Sequence, residues 1–202
     1  MSSDSPVTDR APEDLPEPDP DKISIGVISD PDAAQQAWID SLKDSKSEMA
    51  SVLRNAAVTR ALTQVGVVEN PEGSNCGIPH ELYQMWITGP GVGCVPWCAF
   101  FVGWAFDTSA AGNHDHKAPW GTSGYVPWIY NWAQTQGKLV ASPAHGDIFF
   151  VNPTDPIHSH MGLVVGADPK MRHIYTCEGN SSDRVLSQLR SYDSGDYAFA
   201  RL

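Results

Sequence analysis

The amino-acid sequence predicts an α+β domain behind an acidic leader, on three observations. Apolar residues recur at helical spacing in the first half. Four short apolar segments bounded by turn residues occupy the last third. The two kinds do not alternate, so the strands are expected to pair with one another as an antiparallel sheet, not as α/β units. The chain has 202 residues, enough for one domain with a sizeable core and a tail.

Residues 1 to about 22 are rich in Pro, Asp and Glu and bury too little apolar surface to offset their ordering entropy. They read as a disordered, solubilising leader. Ile23–Ile28 is a short apolar patch, either a docking strand or a sticky end of the tail. We assign 1–45 to leader and helical lead-in, and 46–202 to the domain. Asp30-Pro31-Asp32 starts a helix reaching about Leu42. Ser47-Glu48 starts a second, with Val52, Leu53, Ala56, Ala57, Ala61, Leu62 and Val65 at three- and four-residue steps and Gly66 as its stop. Residues 69–77 carry turn chemistry throughout, and His80–Thr88 reads as a short helix.

Pro96-Trp97 then opens the most apolar helix of the chain at Cys98. A loop from Thr108 to Gly124 follows, then an aromatic-rich helix from Tyr125 to Gln136, stopped at Gly137. The strands are 147–151, 160–166, 173–178 and 196–201.

Charge excludes some functions. Thirteen basic and 24 acidic residues give a net charge of −11, which disfavours nucleic acid and anionic membranes as partners. No apolar run approaches a membrane span. The polar, acidic N-terminus lacks a basic region followed by an apolar stretch, so we expect synthesis in the cytoplasm without an ordinary secretory signal. The four cysteines, Cys76, Cys94, Cys98 and Cys177, are too few for a disulfide scaffold. Cys76 and Cys94 are free to pair in an oxidising space or to stay reduced.

Cys98 is the candidate nucleophile. The positive end of a helix dipole favours thiolate over thiol; the alternative is a small buried hydrophobe. A thiol amidase or protease also needs a histidine and a polar group to orient it. His160 opens one strand, Glu178 ends the next and Asn180 follows. In an antiparallel pair such positions are cross-strand neighbours within reach of a hydrogen bond. His158 is the rival histidine. His114-Asp115-His116 reads as a solvated loop and not a metal site. Cys177 reads as a buried thiol. Trp97, Trp120 and Trp128 either floor a substrate groove or pack in the core.

Four segments taken together resemble the CHAP (cysteine, histidine-dependent amidohydrolase/peptidase) family. They are Pro96-Trp97-Cys98-Ala99 with Phe101-Val102 and Trp104; Gly146-Asp147-Ile148-Phe149-Phe150; His160-Met161-Gly162-Leu163-Val164; and Glu178-Gly179-Asn180. The segment Glu69–Asn75 is similar to one that precedes the cysteine in many members. The resemblance covers about residues 50–202 and implies a papain-like fold, with the Cys98 helix packed on a small antiparallel sheet. It implies a peptidoglycan hydrolase acting through a thioester, either an N-acetylmuramoyl-L-alanine amidase or a stem or cross-bridge endopeptidase. Cys98 matches the nucleophile, His160 the base, Glu178 the group orienting the imidazole and Asn180 a supporting residue. The Cys98 backbone N–H is the natural oxyanion donor. Asn75 or Ser74 is a candidate second donor, and Trp97 and Trp120 are candidate substrate contacts.

No dense acidic loop lies near Cys98, so neither a metal nor a cofactor is expected. The expected partner is peptidoglycan, met as a monomer by a phage lysin or an antibacterial effector. Such an enzyme is delivered by a non-secretory route to the periplasm or cell wall, where an immunity protein or delivery machinery would also engage it. Two other readings use the same scaffold: a protein deamidase or transamidase, and a binding module without catalysis.

Overall fold

The computed structural model describes residues 31–77, 81–91, 93–109 and 118–202, without the side chains of 31–43, 108 and 109. The leader, the Ile23–Ile28 patch and His114–His116 lie outside the described residues. The chain divides into two units, 1–42 and 43–202. The elements run α1 (Pro31–Leu62), α2 (Glu81–Thr88), α3 (Cys98–Ser109), α4 (Val126–Thr135), β1 (Leu139–Val140), β2 (Ile148–Val151), β3 (His160–Asp168), β4 (His173–Ser181), β5 (Arg184–Ser191) and β6 (Tyr197–Ala200). The class is therefore α+β, with all six strands in one antiparallel sheet of order β1-β6-β2-β3-β4-β5.

Two expectations need correction. The stretch read as two helices is one, α1, because residues 43–47 contain neither Gly nor Pro to end it. Ala57, Val58 and Ala61 are buried, but Val52 and Val65 of the expected apolar stripe are 62% and 47% exposed. The sheet also has two strands more than expected. β5 reads Arg-Val-Leu-Ser-Gln-Leu-Arg-Ser, too polar to register as a strand by hydrophobicity. It is the last strand of the sheet order, and residues 66–69 hydrogen-bond along the outer flank of its first residues. β1 is only two residues long.

α3 explains its own composition. It packs on α2, β3 and β4, and Cys98, Ala99, Phe100, Phe101, Val102, Ala105 and Phe106 are all buried. A helix covered on so many sides needs apolar residues nearly all round. Truncating Phe101, which is fully buried, would cost about 3–5 kcal/mol by the usual cavity effect. Gly179 permits the close approach of helix to sheet. A Cβ there would lie 2.5 Å from the Phe101 Cβ and 2.8 Å from the Trp97 ring. The bare backbone between Glu178 and Asn180 thus lets the first turn of α3 rest on β4. The sheet's other face carries a second cluster of Phe149, Val164, Ile174, Tyr192 and Phe199.

Candidate active site

Cys98 is the first residue of α3, only 5% exposed, on the floor of a cleft of about 440 Å³. Val95, Phe100, Tyr125 and Ile157 make apolar walls, and Ser123 and Ser159 add hydroxyls. Ile157, on the lip, is 80% exposed. Its loop is fixed by Asp155, whose carboxylate accepts the backbone N–H groups of Ile157 (2.7 Å) and His158 (2.9 Å).

Beside the thiol stands His160. Its Nε2 donates to Glu178 Oε2 at 2.8 Å, which leaves the other ring nitrogen for its hydrogen bond with Cys98. The register refines the cross-strand expectation. Leu163 pairs with Cys177; one further step would set Gly162 opposite Glu178, so His160 meets Glu178 on the diagonal. A diagonal pair is within reach of long side chains, and Gly162 between them has no side chain to intrude.

Glu178 is fully buried and heavily partnered. Arg190 reaches it with both Nε (to Oε1, 2.6 Å) and Nη2 (to Oε2, 2.6 Å). Thr176 Oγ1 donates at 2.5 Å and Gln188 Nε2 at 3.0 Å. A buried charge needs such compensation, and a bidentate Arg is its strongest form. Burial alone would raise the Glu178 pKa. Arg190, His160 and Thr176 outweigh it and hold the carboxyl at about 2. For His160 burial opposes the charged form, but hydrogen bonds to Cys98 and Glu178 raise it to about 9. Burial likewise opposes a Cys98 thiolate, yet His160 and the N–H groups of Met161 and Ala99 bring its pKa below the ordinary thiol value. The three groups therefore favour a thiolate–imidazolium pair anchored on a carboxylate. Cys177 behaves in the opposite way: buried, and beside Glu178, its thiol is pushed up to about 12.

The remaining sequence candidates divide. Asn180 joins the site from the end of β4. In one amide orientation its Nδ2 donates to Asn75 Oδ1 (3.0 Å); in the other its NH₂ donates to Glu69 Oε1 (3.0 Å) and its carbonyl accepts from the Trp97 backbone N–H (3.1 Å). Ser74 is occupied locally, donating to Pro71 O at 2.5 Å and accepting from the Cys76 N–H at 3.0 Å. Trp97 and Trp120 are core side chains and not groove floors. Trp97 is fully buried, and Trp120 is edge-on to Phe106 and Trp132. Both follow from apolar faces too large to leave wet. Trp128 is half exposed. His158 is exposed and held by Asp155 at 3.1 Å, apart from the His160–Glu178 pair. Cys76 and Cys94 form a disulfide with Cα atoms 4.8 Å apart, a pairing the sequence left open. Among the described residues, the metal-like grouping is Cys76, Glu81 and Cys94, and both its sulfurs are engaged in that bond.

Sequence reasoning missed Arg190, Gln188 and Thr176, which surround Glu178, and the buried carboxylate Glu69. The two-residue spacing of Gln188 and Arg190 on one strand face was the available signal. What the folded chain assembles is a cysteine, a histidine and a carboxylate in hydrogen-bonded series at the start of a buried helix, under an apolar cleft. No family model, no curated protein and no solved structure matches this chain.

Proposed function

We propose that this protein is a papain-like cysteine amidohydrolase/peptidase of the CHAP type that cleaves an amide bond of peptidoglycan. The observation that carries the reading is the series Cys98–His160–Glu178 at the foot of an open cleft. The Cys98 thiolate attacks the scissile carbonyl, forming a C–S bond and an oxyanion. The backbone N–H of Cys98, at the helix start, is the donor nearest that charge. The oxyanion collapses, the C–N bond breaks and His160 gives its proton to the leaving amine. His160 then takes a proton from water, whose oxygen attacks the thioester. The carboxylic acid leaves and the thiolate returns. Glu178 keeps the imidazole oriented and stabilises its charged form. The family resemblance of the four segments supplies the wall substrate. The Cys76–Cys94 disulfide supports action in an oxidising space such as the periplasm or wall, as by a lysin or antibacterial effector.

The test is digestion of purified Gram-negative and Gram-positive sacculi, with Cys98→Ser as control and mass spectrometry of the soluble products. Stem peptides freed from intact glycan identify an amidase, and monomers from cross-linked dimers an endopeptidase. Absence of release from both walls would reject the wall substrate.

A further inference from the structure

Glu69 is a buried carboxylate, 4% exposed, outside the Cys98–His160–Glu178 series. Two N–H donors reach it, Trp97 Nε1 to Oε1 at 2.8 Å and the Asn75 backbone to Oε2 at 2.8 Å, and the Asn180 amide, oriented with its NH₂ towards Oε1 at 3.0 Å, makes a third. Burying a carboxyl group is costly unless its oxygens find donors. All three donors lie in segments that meet at the nucleophile.

Trp97 directly precedes Cys98, and the peptide joining them carries the Cys98 N–H. Its neighbours are pinned on every side. Glu69 holds the indole, the Asn180 carbonyl accepts from the Trp97 N–H, and the Trp97 carbonyl accepts from the Phe101 N–H at 2.9 Å. Asn75 and Asn180 both adopt positive φ, 55° and 56°. Asn is among the few side chains that tolerate that region, and outside contacts must hold it there. Glu69 holds Asn75 through its backbone and Asn180 through its amide.

We propose that Glu69 is a positioning residue: its carboxylate gathers Trp97, Asn75 and Asn180 and so fixes the Cys98 peptide N–H where the oxyanion of acyl transfer forms. The proposal rests on the acyl-transfer reading above but not on the wall substrate. It separates two reactions of one sulfur. Attack on an ester builds an oxyanion before nitrophenolate leaves, so it needs the aligned N–H. Displacement of iodide from iodoacetamide builds none and needs only the thiolate.

The experiment measures both rates on the disulfide-intact protein without reductant: acylation of Cys98 by p-nitrophenyl acetate and alkylation by iodoacetamide, each across pH. Glu69→Gln turns one carboxylate oxygen into a donor facing donors. It should slow acylation about tenfold or more, by analogy with losing an oxyanion contact, while alkylation and its pH midpoint change less than about twofold. Trp97→Phe removes one donor and should show the same split more weakly, which keeps the test open should Glu69→Gln not fold. Melting curves verify the fold of both. Acylation and alkylation falling together, or neither falling, would overturn the proposal. Wild-type acylation no faster than in a Cys98→Ala control would overturn the acyl-transfer reading as well.

Discussion

Two buried carboxylates flank the nucleophile, and they are satisfied in opposite ways. Glu178 meets a guanidinium, an imidazole, a hydroxyl and an amide. Among the described residues, Glu69 meets peptide, indole and amide N–H groups. The first arrangement stabilises a charge that comes and goes on His160. The second ties together segments far apart in sequence. Neighbouring acids of equal burial thus serve different ends: one governs protonation, the other alignment.

The largest effects should fall on the Glu178 side. His160→Ala should abolish sacculus digestion, as Cys98→Ser should, while His158→Ala retains it. The reverse pattern in a turbidity assay would assign the base to the wrong histidine. Glu178→Gln should lower kcat about 10³-fold or more with little change in KM, since an amide cannot support the imidazolium as a carboxylate does. Equal losses in kcat for Glu178→Gln and Glu69→Gln, with matching pH profiles, would erase the distinction between the two acids.

Arg190→Met should come next, chiefly in stability. Removing the cation leaves Glu178 buried with less compensation, a loss of about 3 kcal/mol that a denaturant titration would resolve. Thr176→Val, which deletes one donor to Glu178, should cost about 1 kcal/mol.

The pH dependence has a definite sign. Glu178 is depressed from 4.5 to about 2, so its contribution to stability is full above about pH 4.5 and vanishes as pH falls through 2. His160 is raised from 6.5 to about 9, so its contribution is full below about pH 6.5 and is lost as pH rises through 9. Melting temperatures should decline as pH falls through 2; at the alkaline end the His160 loss is opposed by Cys98, whose lowered pKa adds stability as pH rises. Turnover should fall above pH 9 as the imidazolium disappears. A melting temperature unchanged between pH 4.5 and 2 would contradict the Glu178 assignment.

The Glu178 side was legible in the sequence because its members lie at or near element ends: a Pro-Trp before a helix, a His opening one strand, a Glu three residues before the end of the next. Periodicity locates such points. The Glu69 side was not, because Glu69 lies in a loop of turn residues and its partners come from that loop (Asn75), from the residue before α3 (Trp97) and from the end of β4 (Asn180). Only the folded backbone shows that Asn75 and Asn180 share a left-handed conformation and a common anchor. Hydropathy also hid β5, and with it Arg190, since an edge strand is built from the polar residues that pattern reading assigns to loops.

The Cys76–Cys94 bridge has a practical consequence. Exchange between a thiolate and the disulfide four residues before it in sequence would trade the nucleophile for a scrambled bond. The protein must therefore keep one sulfur reduced and two oxidised in the same milieu. A strong reductant protects Cys98 at the expense of the bridge, and a strong oxidant does the reverse. Purification and assay therefore call for a thiol–disulfide buffer that keeps Cys98 reduced and leaves the bridge intact.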